Sequence, residues 1–260
     1  MAELKLVRDG AVATVLFSNP DKLNAMSYDM WLGLPKMIED LGRDASVRAI
    51  VFAGEGDKAF VSGADISQFE KVRGTADSQA EYNNAIELAY AAPMQCMKPV
   101  IAKVRGICFG GGLGIAAACD VRIASEDASF RMPAARLGLG YGYTGVRRFM
   151  NVLGAANTAD IFFSARKFDA AEALRMGFVS RVLPAAELDR AVAEYCAMIA
   201  ENAPLTIAAA KFAIRQGMKD PADRDVATAQ KMVEACFAST DHKEGRSAFM
   251  EKRKPRFQGR

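Results

Sequence analysis

VRGICFGGGLGIAAACDVRIAS (residues 104–125) joins one short apolar run to another through three consecutive glycines, Gly110, Gly111 and Gly112. The run that ends here, VIAKV over 100–104, and the run near the far end, CDVRIA over 119–124, are both short and apolar, which predicts buried strands. Between them the small-residue stretch LGIAAACD predicts a helix. Three successive glycines lose much backbone entropy on folding. They make sense where backbone must approach a ligand closely, at a helix N-terminus whose N–H groups have no intrahelical acceptor. Such groups suit an anion or a developing oxyanion. A tight packing turn would use the same residues. The spacing is not GxGxxG, so a dinucleotide-binding turn is poorly supported.

Upstream, Lys5 to Phe17 with Asp9-Gly10 in the middle predicts a hairpin, closed by Asn19-Pro20. Ser27 can cap a helix from about Tyr28 to Leu41. RAIVFA (48–53), bounded by Gly54 and Gly56, predicts another buried strand, and Ala59-Phe60-Val61 a short one. The latter runs into a second small-residue turn, SGAD (62–65), which could bring further N–H donors toward the first. Strands alternating with helices through residue 150 imply βαβ units and a sheet with parallel character. From about Ala155 the pattern turns helical, with amphipathic stretches at 169–176, 185–201 and 205–217 and Pro204 between the last two.

The 260 residues suit one large α/β domain with a helical appendage. A formal net charge of +3 argues against a dedicated nucleic-acid binder. Lys252, Arg253, Lys254, Arg256 and Arg260 do gather at the C-terminus, as a solvated tail or a phosphate contact. Cys96, Cys108, Cys119, Cys196 and Cys236 are scattered singly, which predicts reduced thiols in a cytoplasmic protein. No signal peptide or apolar run of about 18 residues is evident, so no membrane span is expected.

These segments resemble the crotonase superfamily, the enoyl-CoA hydratases, isomerases and their relatives. NPDKLNAM (19–26), AFVSGADI (59–66), the glycine segment at 104–125, ARKFDAAEALRMGFVSRV (165–182) and AFMEKRKPRF (248–257) fall in family order over nearly the whole chain. The resemblance implies an α/β fold of the ClpP/crotonase type, a spiral of ββα turns with a C-terminal helical trimerisation region. Residues 1–200 would form the acyl-CoA-binding core and 201–260 the helical region, assembling a trimer or a dimer of trimers. It implies that the backbone N–H groups of Ala64 and Gly111 hold the oxygen of a thioester enolate. It implies coenzyme A contacts from Lys22, Ala25, Ala64, Asp65, Ile66 and Gly111, and from Phe249 and Lys252 toward an adjacent subunit's nucleotide. No separate cofactor or metal is implied, because coenzyme A arrives on the substrate. Partners are then an acyl-CoA and further copies of the chain, with no nucleic acid and no membrane.

One departure stands out. Hydratases of the family hold water between two glutamates, in GGGxE and FxxPE; the corresponding residues here are Gly114 and Ala134. Each positioned acid or base contributes about 10²–10⁴-fold, so a standard two-glutamate hydratase is not expected. Tyr141, in RLGLGYGYTG (136–145), is the leading replacement. It resembles a tyrosine in the LGxxY segment of the methylmalonyl-CoA decarboxylase branch, although that branch carries histidine where Ala64 stands. Glu70 and Glu81 lie in a polar stretch, 67–84, that resembles the family's mobile active-site helix. Arg131 or Arg136 could hold a substrate carboxylate or form a surface ion pair. Asp65 and Asp120 suit structural roles, and His242, the only histidine, suits a surface or helix end. The resulting expectation is an acyl-CoA lyase or isomerase of fatty-acid type. The alternatives are a noncatalytic acyl-CoA-binding pseudoenzyme and, through the basic tail, an RNA-binding relative.

Overall fold

In the computed structural model, which describes residues 2–65, 67 and 76–260, the expected hairpin forms. Strands β1 (Glu3–Asp9) and β2 (Val12–Ser18) pair antiparallel, with Gly10 at φ +53° in the turn. Strands β3 (Ala49–Gly54), β5 (Val100–Val104), β7 (Val121–Ser125) and β10 (Arg181–Leu183) add in parallel, giving a six-stranded sheet in the order β1-β2-β3-β5-β7-β10. A second sheet runs β4 (Ala59–Val61), β6 (Ile107–Phe109), β8 (Ser129–Arg131) and β9 (Lys167–Asp169), parallel except for its last pair.

The unbroken apolar run in β3 has a two-sided cause. Ile50 and Phe52 enter the main core, with Phe17 edge-on to both Phe52 and Phe60. Ala49 and Val51 point the other way, into a second cluster with Leu188, Val192 and Cys196 of the helix Leu188–Ala200. A strand buried on both faces loses the alternation of a half-exposed one.

The helices, in chain order, are α1 (Tyr28–Arg43), α2 (Ala76–Gln95), α3 (Gly111–Ala118), α4 (Tyr143–Ser164), α5 (Ala170–Arg175), α6 (Leu188–Ala200), α7 (Pro204–Gly217), α8 (Val226–Ala238) and α9 (Thr240–Met250). The Ser27 hydroxyl caps α1 by accepting from the Met30 N–H at 3.3 Å. Met30, Trp31, Leu34, Ile38 and Leu41 then bury one stripe of that helix. Helix begins earlier than the sequence pattern suggests, at Tyr143, because Gly142 supplies an extended N-cap and Gly154, at φ +73°, kinks α4 into two pieces. Pro204 opens α7, where its missing N–H would have had no partner.

Lys211 on α7 ties the C-terminal helices to the sheet. Its ammonium is buried and donates to the carbonyls of Pro93 and Lys98 and, at 2.6 Å, to Asp120. Asp120 also accepts from the Val100 N–H at 2.7 Å, a structural role. The last residues fold back: the Asp241 carboxylate accepts from the N–H groups of Gln258 and Gly259. Arg253 pairs with Glu244 and Glu251, and Lys254 with Glu201, so part of the basic tail is neutralised internally. All five cysteines are free, and four are buried. Among the described residues no helix is long and apolar enough to cross a membrane.

Candidate active site

The site is assembled where α3 begins. Gly110, Gly111 and Gly112 are bare for three different reasons. Gly110 sits at φ +49°, a backbone conformation that L side chains rarely adopt. A Cβ on Gly112 would meet the Val61 carbonyl oxygen at 2.1 Å, so only glycine lets α3 press against β4. A Cβ on Gly111 would stand 3.1 Å from the Trp31 ring and 3.5 Å from the Ala64 nitrogen. The amides of Ala64 and Gly111 are therefore neighbours.

Both amides are also spare. Gly111 is the first residue of its helix, where the N–H has no intrahelical acceptor. Ala64 forms a parallel bridge with Met26 in which Met26 bonds the Gly63 carbonyl and the Asp65 N–H. The N–H of Ala64 itself therefore faces the opposite side, and no described residue accepts from it. Two adjacent donors of this kind suit an oxygen that gains negative charge.

The loop holding Lys22 and Ala25 is stitched to this point. The Asn24 side chain donates to the carbonyls of Glu55 and Ala59 and accepts from the Asn19 N–H. The Asn19 amide in turn donates to the Ala25 carbonyl. The Ser62 N–H and hydroxyl donate to the carbonyls of Leu23 and Lys22. Lys22 reaches the buried Asp65 carboxylate at 2.7 Å, and Asp65 also accepts from the Ser67 N–H and hydroxyl. Lys22, Ala25, Ala64, Asp65 and Gly111 thus form one neighbourhood.

A pair of phenols closes the far side. Tyr90, on α2, is buried; its hydroxyl donates to the Gly111 carbonyl at 3.3 Å and its ring lies edge-on to Trp31. It occupies the space that a side chain at 114 would need, since a Cβ on Gly114 would stand 2.6 Å from the Tyr90 Oη. Tyr141 packs edge-on against Phe149 and Phe162. The Arg148 guanidinium lies over the Tyr90 ring, 4.4 Å from its centre. Burial pushes both phenols above their ordinary value, more strongly at Tyr90, so both are protonated donors at neutral pH. Sequence reasoning singled out Tyr141 but missed Tyr90 and Arg148. Nothing in AIELAYAAP distinguishes Tyr90 from any other buried aromatic.

The remaining candidates separate. Ala134 is buried beside the glycine run, where the Gly110 N–H donates to the Arg131 carbonyl and the Pro133 ring faces Gly110. The Arg131 Nε donates to the Ala165 carbonyl, and Arg136 and Glu81 are exposed. His242 stands in the first turn of α9 with its ring against Phe237. Phe249, in the last turn of α9, lines an apolar groove between α7, α8 and α9, and Lys252 follows the end of that helix. Ile66 and Glu70 fall outside the described residues.

Residues 8–260 match the family model described as enoyl-CoA hydratase/isomerase. The chain is 34% identical to a short-chain-enoyl-CoA hydratase of Clostridium acetobutylicum over 96% of its own length and 95% of the relative's. It is 31% identical to a peroxisomal Delta(3,5)-Delta(2,4)-dienoyl-CoA isomerase of Arabidopsis thaliana, over 98% and 96% of the two chains. A crystal structure of an enoyl-CoA hydratase/isomerase family protein from Hyphomonas neptunium superimposes with a TM-score of 0.93 at 33% identity, covering 99% of this chain and 98% of that one.

The Asp65 carboxylate makes a pH prediction. Burial alone would raise its pKa, but the hydrogen bonds from Lys22 and Ser67 and the Lys22 charge outweigh that, and it titrates below the usual range. A carboxyl whose pKa falls on folding stabilises the native state above its unfolded value, about 3.9, and loses that contribution as pH drops through the folded value. Asp65→Asn should therefore lower stability at pH 7 by on the order of 1 kcal/mol, a modest figure because Lys22 is half exposed. In urea unfolding the gap between variant and parent should close as the pH falls below the carboxylate range.

Proposed function

Because the chain belongs to the enoyl-CoA hydratase/isomerase family, we propose that it acts on an acyl-CoA thioester and holds the thioester oxygen between the N–H groups of Ala64 and Gly111 as an enolate forms. The observation that carries this reading is the pairing of two spare, adjacent amides, one released by a parallel bridge and one at a helix start. Losing one such donor costs about 2.7–4 kcal/mol of transition-state stabilisation. Coenzyme A enters with the substrate, and Lys22, Ala25 and Asp65 line its approach. Phe249 and Lys252 serve the nucleotide of a neighbouring subunit.

The proton chemistry departs from that of a two-glutamate hydratase. Gly114 and Ala134 carry no ionisable group, and the space beside Gly114 is taken by the Tyr90 phenol. This favours a lyase in which the C–C bond to a carboxylate breaks, CO₂ leaves and the electron pair left behind forms the enolate without a base; an isomerase, which must first lose a proton to a base, is the alternative. Tyr141 then delivers a proton to the enolate carbon.

Hydration of crotonyl-CoA should run at least about 10⁴-fold below an efficient two-glutamate hydratase. A turnover in the efficient range would show that other groups handle the proton. The purified protein should be offered crotonyl-, malonyl- and methylmalonyl-CoA, with products identified by mass. On the best substrate, Tyr141→Phe should lower turnover by about 10-fold or more, about 1.4 kcal/mol, while acyl-CoA binding persists. Unchanged turnover would reduce Tyr141 to a pocket wall, and no turnover of any thioester would favour a noncatalytic acyl-CoA-binding protein.

The C-terminal helices support assembly as a trimer or a dimer of trimers. Ile214, Phe237, Phe249 and Met250 are each 65% exposed or more, a large apolar surface for an isolated chain. Sedimentation equilibrium at micromolar concentration should return a multiple of three chains; a monomer mass would rule this assembly out.

A further inference from the structure

We propose that a cavity between α3, α4, α6 and α7 binds an aliphatic carboxylate, its chain against apolar walls and its head group beside Arg148 and Arg122. The inference does not depend on the proposed thioester chemistry.

The cavity has a volume of about 530 Å³, a size suited to a small organic molecule. Neither Ala64 nor Gly111 lines it. Met94 on α2, Ala118 on α3 and Val152 on α4 do line it, and they follow Tyr90, Gly114 and Arg148 by four residues each. On a helix that spacing is one turn along the same face. The cavity therefore begins one turn beyond the place where Tyr90 fills the space beside Gly114. Ile101 from β5, Tyr195 from α6 and Ile207 from α7 add further apolar wall.

The charges around this space do not balance. Arg122, Arg148, Lys211 and Arg215 line it, against Asp120 as the one carboxylate among the described residues. Arg122, Arg148 and Lys211 are only 8%, 5% and 5% exposed. Lys211 takes Asp120 as its partner. Arg122 donates to the carbonyls of Ala116, Cys119 and Phe178, and among the described residues no carboxylate pairs with it. The Arg148 Nη2 pairs with the half-exposed Glu87 at 3.1 Å, while its Nε and Nη1 bond nothing among the described residues. Taking a guanidinium out of water is unfavourable unless acceptors and a counter-charge come with it. A carboxylate supplies both, because its two oxygens match the forked donors of arginine. An inorganic anion would meet the cations but leave the apolar walls wet, whereas an acid with an alkyl chain covers both.

The test is calorimetric titration of the full chain with octanoate, octanamide and octylamine, which share a chain and differ in head-group charge. Octanoate should bind at least about 10-fold more tightly than octanamide, and octylammonium should not bind. Arg148→Met removes the unpaired donors, and Ile207→Trp fills the cavity while leaving its charges in place. Each should weaken octanoate binding by about 10-fold or more, with a melting transition showing that the variant is folded. Equal affinity for acid and amide, or binding of the amine, would overturn the charge-based assignment. Unchanged octanoate affinity in either variant would overturn the site, because the acid would then sit elsewhere on the protein. No octanoate binding by the parent would overturn the proposal outright. Should Arg148→Met fail to fold, the comparison of Ile207→Trp with the parent decides.

Discussion

A Cβ on Gly112 would meet the Val61 carbonyl at 2.1 Å, so α3 can lie against β4 only because position 112 is bare. That approach brings the start of the helix beside the turn that follows β4, and the rest of the site depends on it. The Ala64 and Gly111 amides become neighbours, and Trp31 and Tyr90 close over the first turn of α3. Interiors are packed too tightly for a displaced helix to be absorbed locally. The same backbone spacing that makes the fold compact also leaves two N–H groups without partners.

Those amides stand between the apolar helix α3 and the Lys22–Asp65 ion pair. Residues 112–118 are buried, so α3 is apolar on every side. Buried polar groups ordinarily find partners, and most here do: Asn24 and Asn19 stitch the Lys22 loop, and Asp65 takes Lys22 and Ser67. Trp31 Nε1 and two Arg148 nitrogens are the buried side-chain atoms without a partner among the described residues, and both side chains flank Tyr90.

Much of the architecture was legible because its signals are local. Gly10 and Ser27 mark a turn and a cap by their own backbone and side-chain chemistry. The run at 49–54 carries no polar side chain because both its faces are covered, Ile50 and Phe52 by the main core and Ala49 and Val51 by α6; the run at 100–104 is apolar except at Lys103, which reaches Asp189. The start of α4 was less legible: glycines at 138, 140, 142 and 145 look like loop, and the kink at Gly154 conceals the continuity of the two pieces. The three glycines at 110–112 announced a close approach, but not that one serves φ, one serves β4 and one opens the space beside Ala64.

The sequence by itself determined the α/β class, the strands, the glycine-rich helix start and the absence of carboxylates at positions 114 and 134, since each depends on residue type and near neighbours along the chain. Tertiary structure alone decided what fills the space beside Gly114. Tyr90 precedes it by 24 residues, and Arg148 follows Tyr90 by a further 58. No periodicity or spacing links them. They meet because α2, α3 and α4 pack on one another, and in a dense core a bare position is filled by whichever side chain the surrounding helices can bring to it.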